Sequence, residues 1–286
     1  MDLTRTIVLT TDFGQVDGYV GMMKGVILSI NPQAVMIDLT HAIQPQDLLQ
    51  ASFVLGSSAR YFPTGSIHVV VVDPGVGTNR DLLILETPGA TFLAPDNGVL
   101  SAILLKNMGS QPIESGYIPV PNDCDAYVLT ESEMWLDPVS NTFHGRDILA
   151  PVAAQVSLGM PASQLGSKVE RIFFLTSPVP ICTGNVIVGA VINKDHFGNL
   201  ITNITGDLVL NAQKVVVDIK GQKIIQLSKH FSEGASSSFS AQPLCLIGSH
   251  GLLEIAIRDG NAAEILSADV GEEILVWIDS EGESDS

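Results

Sequence analysis

The sequence predicts an α/β N-terminal domain, a mostly parallel sheet with helices on both faces, followed by a smaller all-β, barrel-like domain. Three observations carry this expectation. Strand-like and helix-like runs alternate through the first half of the 286 residues. The strands there, such as "IHVVVV", are continuously apolar, as strands buried on both faces are. Near "TSPVPICTGN" the texture changes to short Val- and Ile-rich runs separated by Gly, Asn and Asp. The domains are expected at 1–177 and 184–280, with an acidic tail at 281–286.

In chain order, "TIVLTTDF" is a β-rich run with a polar end. "DGYVGMMKGVILSI" has helical spacing at Val20, Met23, Ile27 and Ile30, and stops before Asn31-Pro32. "AVMIDLT" is a strand. "QPQDLLQASFVLGSSARYF" is a helix with Pro45 and Asp47 in its first turn. "SIHVVVVDPG" is a buried strand, and "DLLILET" with "TFLAP" forms a strand pair across Pro88-Gly89. "NGVLSAILLKN" and "GRDILAPVAAQVSLG" are helices. Beyond the linker, "VIVGAVI", "NLITNI", "KVVVDI", "KIIQL", "PLCLIG", "LLEIAI" and "EILVWI" are strands.

Composition narrows the function. A net charge of −17 argues against nucleic acid and against an anionic membrane, since both need a basic face. The apolar runs are of strand length and too short to span a bilayer. "MDLTRTIVLTTDFG" enters a strand without an apolar leader, and Cys124, Cys182 and Cys245 are far apart and odd in number. The expectation is a reduced, cytoplasmic protein without a disulfide framework or a zinc site.

Ligands of open α/β sheets bind beyond the carboxyl ends of the strands. Three predicted strands end there in acids: Asp12, Asp38 and Asp73. A single such Asp is ordinarily a turn or cap residue; several at one edge suggest a site. Asp12 and Asp17 could hold a metal, Asp12 could accept from ribose hydroxyls, and Asp17 could cap the next helix. The turn in "VVDPGVGTNRD" is neither a P-loop nor a dinucleotide fingerprint. Its glycines permit a compact turn across which Arg80 can fold back on Asp73, as an ion pair if not as a site. His144, in "TFHGRDILAP", stands at a helix start, where the dipole disfavours its cation. It could also be a packed or capping histidine. In the second domain, Asp195, Phe197 and Asn199 of "NKDHFGNLITN" offer an aromatic face and an amide to a nucleobase, or form a plain hairpin loop. Ser249, Glu254 and Asn261 lie in "IGSHGLLEIAIRDGNAAE". No Gly-x-Ser-x-Gly elbow is present and no cysteine sits in an activating motif, which points away from a covalent intermediate.

Seven stretches, "TTDFG…DGYVGMMKG", "IDLTHAIQPQD", "YFPTGSIHVVVVDPGVG", "APDNGVL", "FHGRDILAPVAA", "HFGNLITNI" and "GNAAE", resemble in order the S-adenosyl-L-methionine (SAM) hydroxide adenosyltransferases, relatives of the SAM fluorinase and chlorinase. The resemblance spans nearly the whole chain. It implies a homotrimer, with SAM bound where one subunit's first domain meets a neighbour's second. It implies that water or hydroxide displaces L-methionine at ribose C5′ to give adenosine, with no cofactor. Asp73, Arg80 and His144 match the family's Asp-Arg-His set, and Asp12 its ribose-binding acid. Asp195, Phe197, Asn199, Ser249 and Glu254 match positions that contact adenosine or the methionine moiety, and Asp17, Asn261 and Ala262 are further candidate substrate-binding residues. The fluorinase lacks the Asp and has a serine where this chain has Gly145; the chlorinase has glycine there too. A carboxylate at position 73 should repel halide and orient water. The alternatives carried forward are a SAM-dependent halogenase and a non-catalytic SAM or adenosine sensor.

Overall fold

The computed structural model describes residues 5–231 and 242–279, so the expected tail at 281–286 lies outside the described residues. The chain divides into two compact units, Met1–Thr176 and Ser177–Ser286, within the proline-rich stretch.

The first unit contains, in order, β1 (Ile7–Thr11), α1 (Tyr19–Ile30), β2 (Met36–Thr40), α2 (Leu48–Ser58), β3 (Ser66–Val71), β4 (Leu82–Glu86), β5 (Ala90–Pro95), α3 (Ser101–Met108), β6 (Gly116–Pro119), β7 (Asp125–Leu129), α4 (Ala150–Ser157), β8 (Gly166–Val169) and β9 (Arg171–Phe174). Its seven-stranded sheet runs β2-β1-β3-β5-β4-β7-β8, with β6 and β9 paired separately. The sheet is mixed. Strands β2, β1, β3 and β5 are parallel, whereas β5, β4, β7 and β8 are antiparallel to one another in turn. The antiparallel half follows from the short turn between β4 and β5, which is too short for a parallel crossover.

Successive residues on the strands serve opposite faces. Leu9, Ile67, Val69 and Ile84 pack with Met23 and Ile27 of α1 and with α4. Val70, Val72, Leu83 and Leu85 pack with Ala51 and Leu55 of α2 and with Ile103 and Leu104 of α3. Helices thus cover both faces.

Two helix starts differ from expectation. Asp47 is the N-cap of α2 and accepts from the Gln50 amide at 2.9 Å, so the helix begins after it. Gln46, with φ of 68°, lies outside helical geometry. The N-cap of α1 is Gly18, with no side-chain cap bond among the described residues, so Asp17 does not cap that helix.

The second unit contains β10 (Ile181–Thr183), β11 (Val186–Lys194), β12 (Leu200–Thr205), β13 (Lys214–Ile219), β14 (Gln222–Ile225), β15 (Pro243–Ile247), β16 (Leu252–Ile257), the short helix α5 (Ala262–Ile265) and β17 (Glu273–Asp279). The main strands run β14-β13-β17-β11-β12-β16-β15, antiparallel throughout, and β10 pairs with β11. A bridge from Leu227, just past β14, to Cys245 of β15 brings the two ends together, so the sheet is a nearly closed barrel. Ile187, Val191, Val217, Leu253, Ile255, Ile274 and Val276 fill it. No helix among the described residues is long and apolar enough to cross a membrane.

Candidate active site

The connection leaving β1 through α1 leads to β2 on one side, while β3 pairs with β1 on the other. Helices α1 and α2 pack on opposite faces. The carboxyl ends of β1 and β3 therefore flank a topological switch point, where open α/β sheets leave a crevice. Thr11 pairs with Val71, so Asp12 and Asp73 emerge from neighbouring strands at that edge.

Beyond β3 the chain turns tightly. Val76 N–H donates to the Asp73 carbonyl at 3.2 Å and Thr78 N–H to the Gly75 carbonyl at 3.0 Å. Gly77 has φ of +79°, and a Cβ there would strike the Asn141 carbonyl oxygen, so the turn can press against the loop before His144 only with glycine. Arg80 is carried back over Asp73. Its Nε donates to Oδ1 at 2.8 Å and to Oδ2 at 2.9 Å, and its Nη2 donates to Oδ2. The side chains of Asp73 and Arg80 are only 7% and 11% exposed. A forked, charge-assisted pair with so little water around it is geometrically fixed.

Arg80 Nη2 also lies 2.9 Å from His144 Nδ1. A guanidinium can only donate, so Nδ1 accepts and the ring proton resides on Nε2. Burial, and then the Arg80 charge, hold the His144 pKa below its ordinary value, in keeping with a neutral ring.

The backbone under His144 is a π-helical turn, Gly145–Leu149, leading directly into α4. Such turns concentrate at functional sites. Gly145 is buried, and a Cβ there would lie 3.0 Å from Val71 Cγ1. Buried Asp147 anchors the loop: its Oδ2 accepts from the Ser140 amide at 2.8 Å and hydroxyl at 2.6 Å, and Oδ1 from Arg146 Nε at 2.6 Å. Burial alone would raise the Asp147 pKa, but the Arg146 and Ser140 bonds outweigh it and hold the carboxyl low.

Asp12 accepts from the Gln46 amide at 2.8 Å. Phe13, next to it, meets Phe143 edge-on with centroids 5.5 Å apart, and Tyr19 packs on both rings. These aromatics link the Asp12 loop to the His144 loop. Asp17 is exposed beside them. The third strand-end acid, Asp38, is engaged elsewhere: Lys24 Nζ lies 2.6 Å from it and His41 Nε2 3.1 Å.

Within the second unit, another group of the expected residues converges. Asp195 Oδ1 accepts from the amides of Phe197 (2.9 Å) and Asn199 (2.8 Å), and Oδ2 from the Asn199 carboxamide (2.8 Å). The Phe197 ring is left 73% exposed, a flat apolar surface on a rigid turn. Asn261 caps α5, accepting from the Glu264 amide at 3.1 Å, and sits against Gly198. Ala262 opens α5 and is buried. Glu254 is buried on β16, 3.3 Å from His250 Nδ1, with Ser249 in the adjoining turn. Burial raises the Glu254 pKa, and the Asp195 charge adds to this. Among the described residues, no three His, Cys, Asp or Glu side chains converge to hold a metal.

Sequence reasoning passed over Phe13, Tyr19, Ser140, Phe143, Asp147 and His41. Asp147 carried a signal, a carboxylate inside an apolar helical run; the aromatics carried none beyond ordinary core composition.

Two family models match the chain: the SAM hydroxide adenosyltransferase N-terminal domain over residues 7–166, and the C-terminal domain over residues 189–275. The chain is 32% identical to an (R)-S-adenosyl-L-methionine hydrolase of Salinispora arenicola, over 96% of this chain and 99% of that one. It is 34% identical to a protein of the same name from Methanocaldococcus jannaschii, over 96% and 97%. A fluorinase of an Actinoplanes species is more distant, at 26% identity over 69% of this chain and 71% of its own. Among solved structures, an uncharacterized conserved protein from Thermotoga maritima superposes with a TM-score of 0.82 at 33% identity, covering 95% of this chain and all of that one.

Proposed function

The chain belongs to the SAM hydroxide adenosyltransferase family, and from that premise we propose that it hydrolyses SAM to adenosine and L-methionine. The observation that carries the reading is the Asp73–Arg80–His144 chain at the switch point, beside Asp12.

The substrate is a sulfonium. Methionine departs from C5′ as a neutral thioether, so the leaving group needs no proton, and the reaction needs no metal, flavin or nicotinamide. What water lacks is position and a place for its proton. In the proposed step the water oxygen forms a bond to C5′ while the C5′–S bond breaks. Asp73, pinned by Arg80, accepts a hydrogen bond from the water and receives the proton as charge develops. His144 Nδ1 accepts from Arg80, which supports an orienting role over a proton relay. Asp12 would accept from the ribose hydroxyls, with Asp17 nearby. Asp195, Phe197, Asn199, Ser249, Glu254, Asn261 and Ala262 would bind the rest of the substrate. In this reading the protein is a cytoplasmic homotrimer whose second unit completes a neighbour's site.

The test is to incubate purified protein with SAM, with and without chelator and halide, and to identify the nucleosides. Adenosine is expected under every condition. In ¹⁸O-labelled water the label should appear in the 5′-hydroxyl of adenosine. A 5′-halo-5′-deoxyadenosine as main product, or bound SAM with no turnover, would replace hydrolase with halogenase or sensor.

A further inference from the structure

A second buried polar chain stands behind Asp12. Thr11 and His41 are almost wholly buried, and Thr11 Oγ1 lies 2.9 Å from His41 Nδ1. His41 Nε2 lies 3.1 Å from Asp38 Oδ1, out of line with the ring N–H, and Lys24 closes the chain on Asp38. Burial alone would raise the Asp38 pKa; Lys24 and His41 outweigh it and hold the carboxyl low. An ionised carboxylate only accepts, so the proton facing it is on Nε2. Nδ1 then accepts from the Thr11 hydroxyl in a neutral ring, or donates to its oxygen in a cationic one, and either way holds Thr11.

The chain terminates on the Asp12 loop. Phe13 N–H donates to Thr11 Oγ1 at 3.2 Å, and Gly14 N–H to the His41 carbonyl at 2.7 Å. The Gln46 amide reaches Asp12 Oδ2 from the same connecting segment. Residues on both sides of Asp12 are therefore tied to the 41–46 segment, and His41 makes two of the links.

We infer that His41 is a positioning residue for the substrate's ribose, acting through Asp12. This rests on the assignment of Asp12 to the ribose diol made above. His41 touches no reacting atom, so its loss should weaken binding and leave the chemical step nearly alone.

The test compares adenosine with 2′,3′-dideoxyadenosine, which lacks the diol, as competitive ligands of the parent and of His41→Ala. Loss of an ordered polar contact predicts roughly tenfold weaker adenosine binding and KM for SAM, with kcat within about twofold. Dideoxyadenosine affinity should change by no more than about twofold on the same grounds, because it makes no demand on Asp12. His41→Asn, which can still meet Thr11, should recover most of the loss. Thr11→Val, close in shape, should show the same diol-specific weakening and serves if His41→Ala does not fold. Equal weakening of both nucleosides, or of neither, would overturn the inference. Parent protein that binds adenosine diol-dependently through His41 but yields no adenosine from SAM would overturn the proposed reaction and leave His41 in its role.

Discussion

Asp73→Asn keeps the size of the side chain and removes its charge. If Asp73 aligns the water and takes its proton, the variant should still bind SAM while kcat falls roughly 10²–10⁴-fold, the scale for losing a positioned acid–base group. Arg80→Ala should be about as damaging, since it frees the carboxylate that Arg80 holds at both oxygens. The double variant should lose little more, because the two side chains act as one unit. Steady-state kinetics decide this: a defect confined to KM would show Asp73 to be a binding residue. At this scale the sequence was informative where chemistry was local. Asp73 and Arg80 share one turn, and glycines between them announce a close return of the chain. Phe13 and Phe143 are distant in sequence, and only the folded sheet edge makes them neighbours. The same holds for His41 and Thr11, which lie thirty residues apart and meet only because β1 and β2 are neighbours.

Strand β3 has its own acid sensitivity. His68 sits at its centre, 0% exposed, paired in register with Val8 and Phe92. Its ring stacks on Phe92 at 5.0 Å and meets Phe62 edge-on, and neither ring nitrogen has a hydrogen-bond partner among the described residues. Burial lowers its pKa to about 4. Between the unfolded value near 6.5 and that folded value, the unfolded chain binds the proton and the folded chain does not. Stability is therefore full at neutral pH and falls as pH drops through this window, by about 2 kcal/mol at pH 5 for this residue alone. Urea midpoints at pH 7 and pH 5 should be closer together in His68→Leu than in the parent; an unchanged gap would exclude His68 as the cause. Strand β3 was legible because it is long, apolar and β-branched. The hairpin of β4 and β5 was legible from Pro88-Gly89. Strands β6 to β9 were not, since they are short and only partly buried, so the antiparallel half of the sheet was underestimated. The π-helical turn at Gly145–Leu149 was read simply as helix, because one widened turn hardly disturbs the apolar spacing of the run.

Across the whole molecule, the two-part organisation was visible as a change of texture, apolar alternation of strand and helix giving way to short strands. The proposed trimer with a shared site was implied only by resemblance, because such a site would leave no periodic mark on a sequence. The division of the candidate residues between the two units has a genetic consequence. Asp73 belongs to the first unit and Asn199 to the second. Asp73→Asn and Asn199→Ala should each be severely impaired alone. If each site joins two subunits, the lesions can complement one another. If the protein is a homotrimer as proposed, chains of the two variants, unfolded and refolded together at equal amounts, should give trimers in which about a quarter of all sites, one in each mixed ring, combine an intact first unit with an intact neighbouring second unit, by random assortment in a closed ring. Activity should return toward that fraction of the parent's, and should not return when the two are refolded separately and then mixed without exchange. No recovery in confirmed mixed trimers would mean that each chain works only with its own second unit, and a lesion in one half could never be rescued by a neighbour.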